Sequence, residues 1–220
     1  MNVYIMVDPA SSKKKESNRT AMCVVGVDAN YNKFLLDGVC HRMTLSERWD
    51  FLKKLRTKWK RAPGVREVKV GYERYGAQSD IEHFNEMMRI EGSNFPVYEL
   101  NWVGGGGSQS KKDRIQRLEP DLKDGSFYWP YPTDKKMFTS LQMDVIDRKQ
   151  EFLVSKKIMC KDENGSLYDL TKWVRDNEYN LFPTIHPDFL DALSRIYDMD
   201  ATPPISRSYR KLEPEAEAAY

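Results

Sequence analysis

The chain has 220 residues, with 40% hydrophobic and 12% aromatic residues and a formal net charge of +2. That is enough apolar material for one domain, or one domain with a small excursion, and no apolar run approaches the roughly 20 residues of a membrane-spanning helix. The near-neutral balance excludes a global basic field, so any nucleic-acid contact must come from local patches.

The apolar run VYIMVDPA (residues 3–10) predicts a buried strand closing on Asp8. It starts almost at Met1, which points to a piece of a larger protein. A polar loop over residues 9–19 carries Lys13, Lys14 and Lys15. Two further apolar runs, TAMCVVGVDA and KFLLDGVCHR, are separated by an Asn- and Tyr-rich turn and read as a hairpin. Thr44 or Ser46 caps a helix running to about Lys60, with Trp49, Phe51, Leu52, Leu55 and Trp59 at helical spacing. Pro63 and Gly64 end it. VKVGYER is a strand closing on Glu73, followed by a helix over Ser79–Ile90 and a strand at PVYELN.

VGGGGSQS reads as a mobile loop, and SKKDRIQRLEPDL as the helix that leaves it. DGSFYWPYP supplies a turn and a short strand, and Thr139–Arg148 a helix. Residues 150–182 form an excursion: EFLVSKKIMC, the turn KDENGS and LYDLTKW read as a β-hairpin. A closing helix begins near Pro187, in HPDFLDALSRIYDM, because Pro suits the first helical turn. The polar, Pro-rich residues 201–220 are expected to be disordered. The fold class is therefore α/β, a three-strand meander joined by parallel strands and flanked by helices. The first strand is expected in mid-sheet beside the strand that carries Glu73.

Cys23, Cys40 and Cys160 form no CxxC pair; Cys23 and Cys40 sit in apolar strands and read as core, and the set reads as a reducing-compartment chain without a disulfide framework or zinc site. His41, His83 and His186 are scattered. The GxxxxGK[ST] phosphate loop is absent from the sequence, which excludes the usual ATPase signature.

The carboxylates carry the chemistry. Asp8 and Glu73 end two strands, and Asp188 and Asp191 open the closing helix. Buried strand-end carboxylates need compensation, and a hard-oxygen set without soft ligands suits Mg²⁺ or Mn²⁺. Such a set fits two-metal phosphodiester hydrolysis, with Asp8 bridging both ions. Each acid also has a plain structural alternative. Asp8 precedes Pro9 in an ordinary turn pattern. Glu73 can pair with Arg74 or a lysine. Asp191 can pair with Arg195 four residues on, and Asp188 can compensate a helix N-terminus. For Lys13–Lys15, and for Lys111, Lys112 and Arg114, the alternative to DNA binding is a solvated surface.

VDPA with its Ser/Lys-rich loop, then YERYGAQSD, SKKDRIQRLEPDLKDGSFYWP and HPDFLDALS, resembles in order and spacing the nuclease domain of the tailed-phage large terminase subunit. The resemblance covers roughly residues 3–200. It implies an RNase H-like fold of the Holliday-junction-resolvase type and a metal-dependent endonuclease that cuts concatemeric double-stranded DNA during packaging. It places two Mg²⁺ or Mn²⁺ ions on Asp8, Glu73 and either Asp188 or Asp191. The second position often holds Asp in the family and is Glu73 here. Lys112 matches a basic position that contacts phosphate. The hairpin near residues 153–170 resembles an auxiliary hairpin over the cleft. The resemblance further implies an N-terminal packaging ATPase domain, absent from this sequence, together with portal and small-terminase partners and a host-cytoplasmic setting. Two other readings stay open: another RNase H-like nuclease such as a resolvase, and a non-catalytic module that docks on a portal or capsid partner.

Overall fold

The computed structural model describes residues 1–10, 19–73, 77–101, 108–130 and 157–205. Strands β1 (Asn2–Asp8), β2 (Thr20–Val27) and β3 (Lys33–His41) run antiparallel in succession. β4 (Glu67–Glu73) lies parallel to β1 on its other side, β5 (Val97–Leu100) lies parallel to β4, and β6 (Phe127–Tyr128) lies parallel to β3. The six-strand order is β5-β4-β1-β2-β3-β6, so the first strand does lie inside the sheet beside the one carrying Glu73. Residues 3–7 and 21–25 are wholly buried, as continuous apolar strands covered on both faces should be.

Helices account for the covering. α1 (Leu45–Lys60) starts at a capping box in which the Thr44 hydroxyl accepts from the Glu47 N–H, while the Glu47 carboxylate accepts from the Thr44 N–H. Its buried Trp49 packs at a tilt against Phe84 of α2 (Ala77–Glu91), which meets Tyr72 of β4 edge-on. On the opposite face lies α6 (Asp188–Ser194), continued by a 3-10 turn over Arg195–Asp198. Gly38 permits that approach, since a Cβ there would stand 2.9 Å from Phe189 Cε2 and 2.8 Å from the Met22 carbonyl. Among the described residues no helix is long and apolar enough to cross a membrane.

Several expectations are corrected. The segment SKKDRIQRLEPDL is two helices, α3 (Ser108–Gln116) and α4 (Glu119–Lys123), the second with Pro in its first turn. Pro120 lacks an N–H and its ring crowds the preceding turn, so one continuous helix is disfavoured. LYDLTKW is not all strand. The ribbon is β7 (Met159–Lys161) with β8 (Leu167–Asp169), turning through Gly165 at φ +81°. Asp169 then caps α5 (Leu170–Asn177), accepting from the Thr171 N–H at 3.0 Å. The closing helix is also shorter than HPDFLDALSRIYDM, since its last turn tightens to 3-10 geometry. The Thr139–Arg148 helix, Lys13–Lys15, the glycine run at 104–107, residues 150–156 of the hairpin excursion and most of the tail lie outside the described residues.

Candidate metal centre

β1 and β4 are in parallel register, with Val7 opposite Tyr72, so Asp8 and Glu73 leave the sheet side by side at one edge. Strand alternation puts both carboxyls on the α6 face, opposite Tyr72. Glu73 is buried. The Asp8 carboxyl is held well above the ordinary aspartate range, first by burial, then by the charge and hydrogen bond of Glu73, then by Asp191, with Lys111 pulling the other way. A second carboxyl this close disfavours the charged form of Asp8.

α6 brings two more acids. Asp188 and Asp191 are three residues apart and share a helix side, while Phe189, Leu190, Ala192 and Leu193 are buried. The helix start is held by Glu178, whose carboxylate accepts from the N–H groups of Asp188 at 3.1 Å, Phe189 at 3.1 Å and Leu190 at 2.9 Å. These are the orphan donors of the first turn. Burial pushes the Glu178 carboxyl up to about 7, and the same N–H bonds hold it back from rising further. Asp188 is therefore not needed to compensate the helix end. It accepts from the Arg19 backbone N–H at 2.9 Å.

Three cations face these acids. Arg114 donates to Asp191 through Nε at 2.9 Å and Nη2 at 2.7 Å, a bidentate pair. Lys111 Nζ stands 3.3 Å from Asp188 Oδ1 and 3.3 Å from Asp191 Oδ2. Burial lowers the Lys111 ammonium, but Asp191, Asp8 and Asp188 outweigh it and hold it above its ordinary value. Arg195, a buried arginine, reaches Glu73 through Nη2 at 2.5 Å and Asp198 through Nη1 at 2.8 Å. The intrahelical Asp191–Arg195 pair is thus not formed, and the structure gives Glu73 an arginine 122 residues away. Lys112, next to Lys111 on α3, makes no ion pair with the described acids. Sequence reasoning missed Glu178, an acid ten residues ahead of the helix it caps, and gave Arg195 the wrong partner, Asp191 in place of Glu73.

No family model matches the chain. No curated protein matches it either. Among solved structures it is similar to the HK97 bacteriophage large terminase, at 15% identity and a TM-score of 0.38, over 90% of this chain. The chain spans 39% of the length of that structure.

Among the described residues, no three His, Cys, Asp or Glu side chains converge as an open metal cluster. Asp188, Asp191 and Glu73 are engaged instead by Lys111, Arg114 and Arg195. The donor set still fits a hard divalent cation. Its acids are all oxygen ligands, and Asp8 carries a proton-favouring excess of negative neighbours that a cation relieves. Asp8 and Glu73 meet at one edge, and α6 turns Asp188 and Asp191 toward the same charge cluster, since Asp191 acts on Asp8 and Lys111 bridges both helix acids.

Proposed function

We propose that the chain is a divalent-metal-dependent DNA endonuclease domain, of the RNase H-like kind found in phage large terminases. The observation that carries this reading is the side-by-side exit of Asp8 and Glu73 from adjacent parallel strands, within the field of Asp191. Asp8, Glu73 and one or both of Asp188 and Asp191 would hold two Mg²⁺ or Mn²⁺ ions. Such ions, when bound, activate a water and stabilise the leaving oxygen in phosphodiester hydrolysis.

The chain's own residues set the rest. Glu178 fixes the start of α6 and hence the two helix acids. Arg195 holds Glu73 through a buried ion pair. Lys111 and Arg114 neutralise the helix acids, and in this reading they, Lys112 and the Lys13–Lys15 run of the sequence would supply the basic contacts to a DNA backbone. The packaging ATPase domain, the portal and small-terminase partners, and the host-cytoplasmic setting belong to the same reading.

Supercoiled plasmid incubated with the protein and Mn²⁺ tests it. Nicking that needs Mn²⁺ and stops with EDTA is expected. Cleavage that persists in excess EDTA would rule out the metal chemistry. Preference for a four-way junction over linear duplex would favour a resolvase instead, and no cleavage of either would favour the docking module.

A further inference from the structure

On the far side of the sheet from the acids lies a second buried polar cluster. Ala10, two residues past Asp8, is held from both sides of its backbone: its N–H donates to Thr20 Oγ1 at 3.1 Å, and its carbonyl accepts from Arg48 Nη1 at 2.8 Å. The other terminal nitrogen of Arg48 donates to Asp80 Oδ1 at 3.0 Å, and the Tyr72 hydroxyl donates to the second Asp80 oxygen. Tyr72 is fully buried and immediately precedes Glu73, and Asp80 is 3% exposed. The chain of contacts runs from the end of β1, through α1 and α2, to the end of β4. Burial, with the Asp80 hydrogen bond, pushes the Tyr72 hydroxyl up and keeps it a donor.

We infer that Arg48, Asp80 and Tyr72 are positioning residues that fix the spacing between the ends of β1 and β4, and so the relative placement of the Asp8 and Glu73 carboxyls. This rests on the reading above. The physical argument is one of cost. A buried ion pair is weak as a source of stability, because desolvation offsets most of its attraction. An apolar trio would fill the same space. What it would not supply is a planar fork that binds a backbone carbonyl and a carboxylate at fixed geometry, which is specific to arginine. One end of that fork grips the segment after Asp8, and the other leads to the residue before Glu73.

The test uses the full chain and compares wild type with Arg48→Met, Arg48→Lys, Tyr72→Phe and a control, Leu55→Ala, which loosens buried packing on α1 away from the cluster. Thermal melts establish the folded fraction, calorimetric titration with Mn²⁺ reads the site without turnover, and plasmid cleavage gives kcat and KM. Arg48→Met should bind Mn²⁺ about tenfold more weakly, the scale seen when outer-shell supports of metal ligands are removed. Its kcat should fall while KM for DNA stays within about twofold. Arg48→Lys should recover part of the loss, and Leu55→Ala should keep wild-type affinity despite a lower melting temperature. Should Arg48→Met not fold, Tyr72→Phe should show the same pattern at smaller amplitude. Wild-type affinity and kcat in the folded variants would overturn the inference, as would an equal loss in Leu55→Ala. Failure of the wild-type chain to bind Mn²⁺ at all would overturn the reading of the site itself, and the inference with it.

Discussion

Arg114 grips Asp191 with two parallel hydrogen bonds, Nε to Oδ1 at 2.9 Å and Nη2 to Oδ2 at 2.7 Å, and so ties α3 to α6. Asp191 is almost wholly buried, so removing its bidentate partner leaves it only the longer contact to Lys111. Arg114→Met should therefore destabilise the metal-free protein by about 3 kcal/mol, the scale for breaking a buried pair. Arg114→Lys should lose roughly half as much, because an ammonium cannot reproduce the fork. Urea denaturation in EDTA measures both. A change below ~0.5 kcal/mol for Arg114→Met would mean that the pair is solvent-screened.

Lys111 plays the part of an internal counter-ion between Asp188 and Asp191. Lys111→Met should lower the melting temperature in EDTA, since it leaves the acids to repel one another. Mn²⁺ should then stabilise this variant more than it stabilises wild type, because no ammonium competes for the same oxygens. Differential scanning fluorimetry with and without Mn²⁺ reads the difference. An equal Mn²⁺-induced shift in the two proteins would place Lys111 outside the competition.

Asp8 gives a pH dependence of defined sign. Its carboxyl binds a proton more tightly folded than unfolded. The associated stability is full below the ordinary aspartate value of about 4 and is lost as pH rises through the higher folded value. Without divalent ions, wild type should lose stability relative to Asp8→Asn as pH climbs from about 4 toward neutrality. At pH 7 the variant should melt higher, while its cleavage activity falls by orders of magnitude. A variant that melts lower at pH 7 would show that Asp8 is charged and compensated in the metal-free fold.

Glu178 caps α6 with three backbone bonds. Glu178→Ala should cost about 2 kcal/mol, combining the loss of a cap with newly unpaired buried donors. Glu178→Gln, which keeps one acceptor oxygen, should cost less. With a folded value near 7 against the ordinary 4.5, the Glu178 contribution falls as pH rises across that interval, so Gln should close on wild type at higher pH. Denaturation midpoints at pH 5 and pH 8 check the trend.

The parts of this site that were legible in the sequence are those set by local pattern. Runs such as VYIMV and AMCVV mark strands buried on both faces, and the acids that close VYIMVD and VKVGYE mark the edge where β1 and β4 meet. The pairing of charges was not legible, because it depends on tertiary geometry. Arg195 faces Glu73 across 122 residues of sequence rather than Asp191 four residues away. Lys111, rather than the adjacent Lys112, reaches the acids because neighbours on a helix diverge by about 100°. LYDLTKW misleads for a different reason: its alternation holds only to Asp169, where a side-chain cap diverts the backbone into a helix.

The most direct measurement is anomalous diffraction from crystals soaked in Mn²⁺, for wild type and for Asp8→Asn. Wild type should show an anomalous peak in contact with the Asp8 carboxyl and shared with Glu73 or a helix acid, and Asp8→Asn should lose it. A wild-type crystal with no peak at the shared edge of β1 and β4, or with its Mn²⁺ bound elsewhere and unaffected by Asp8→Asn, would contradict the assignment of these carboxyls as a metal centre.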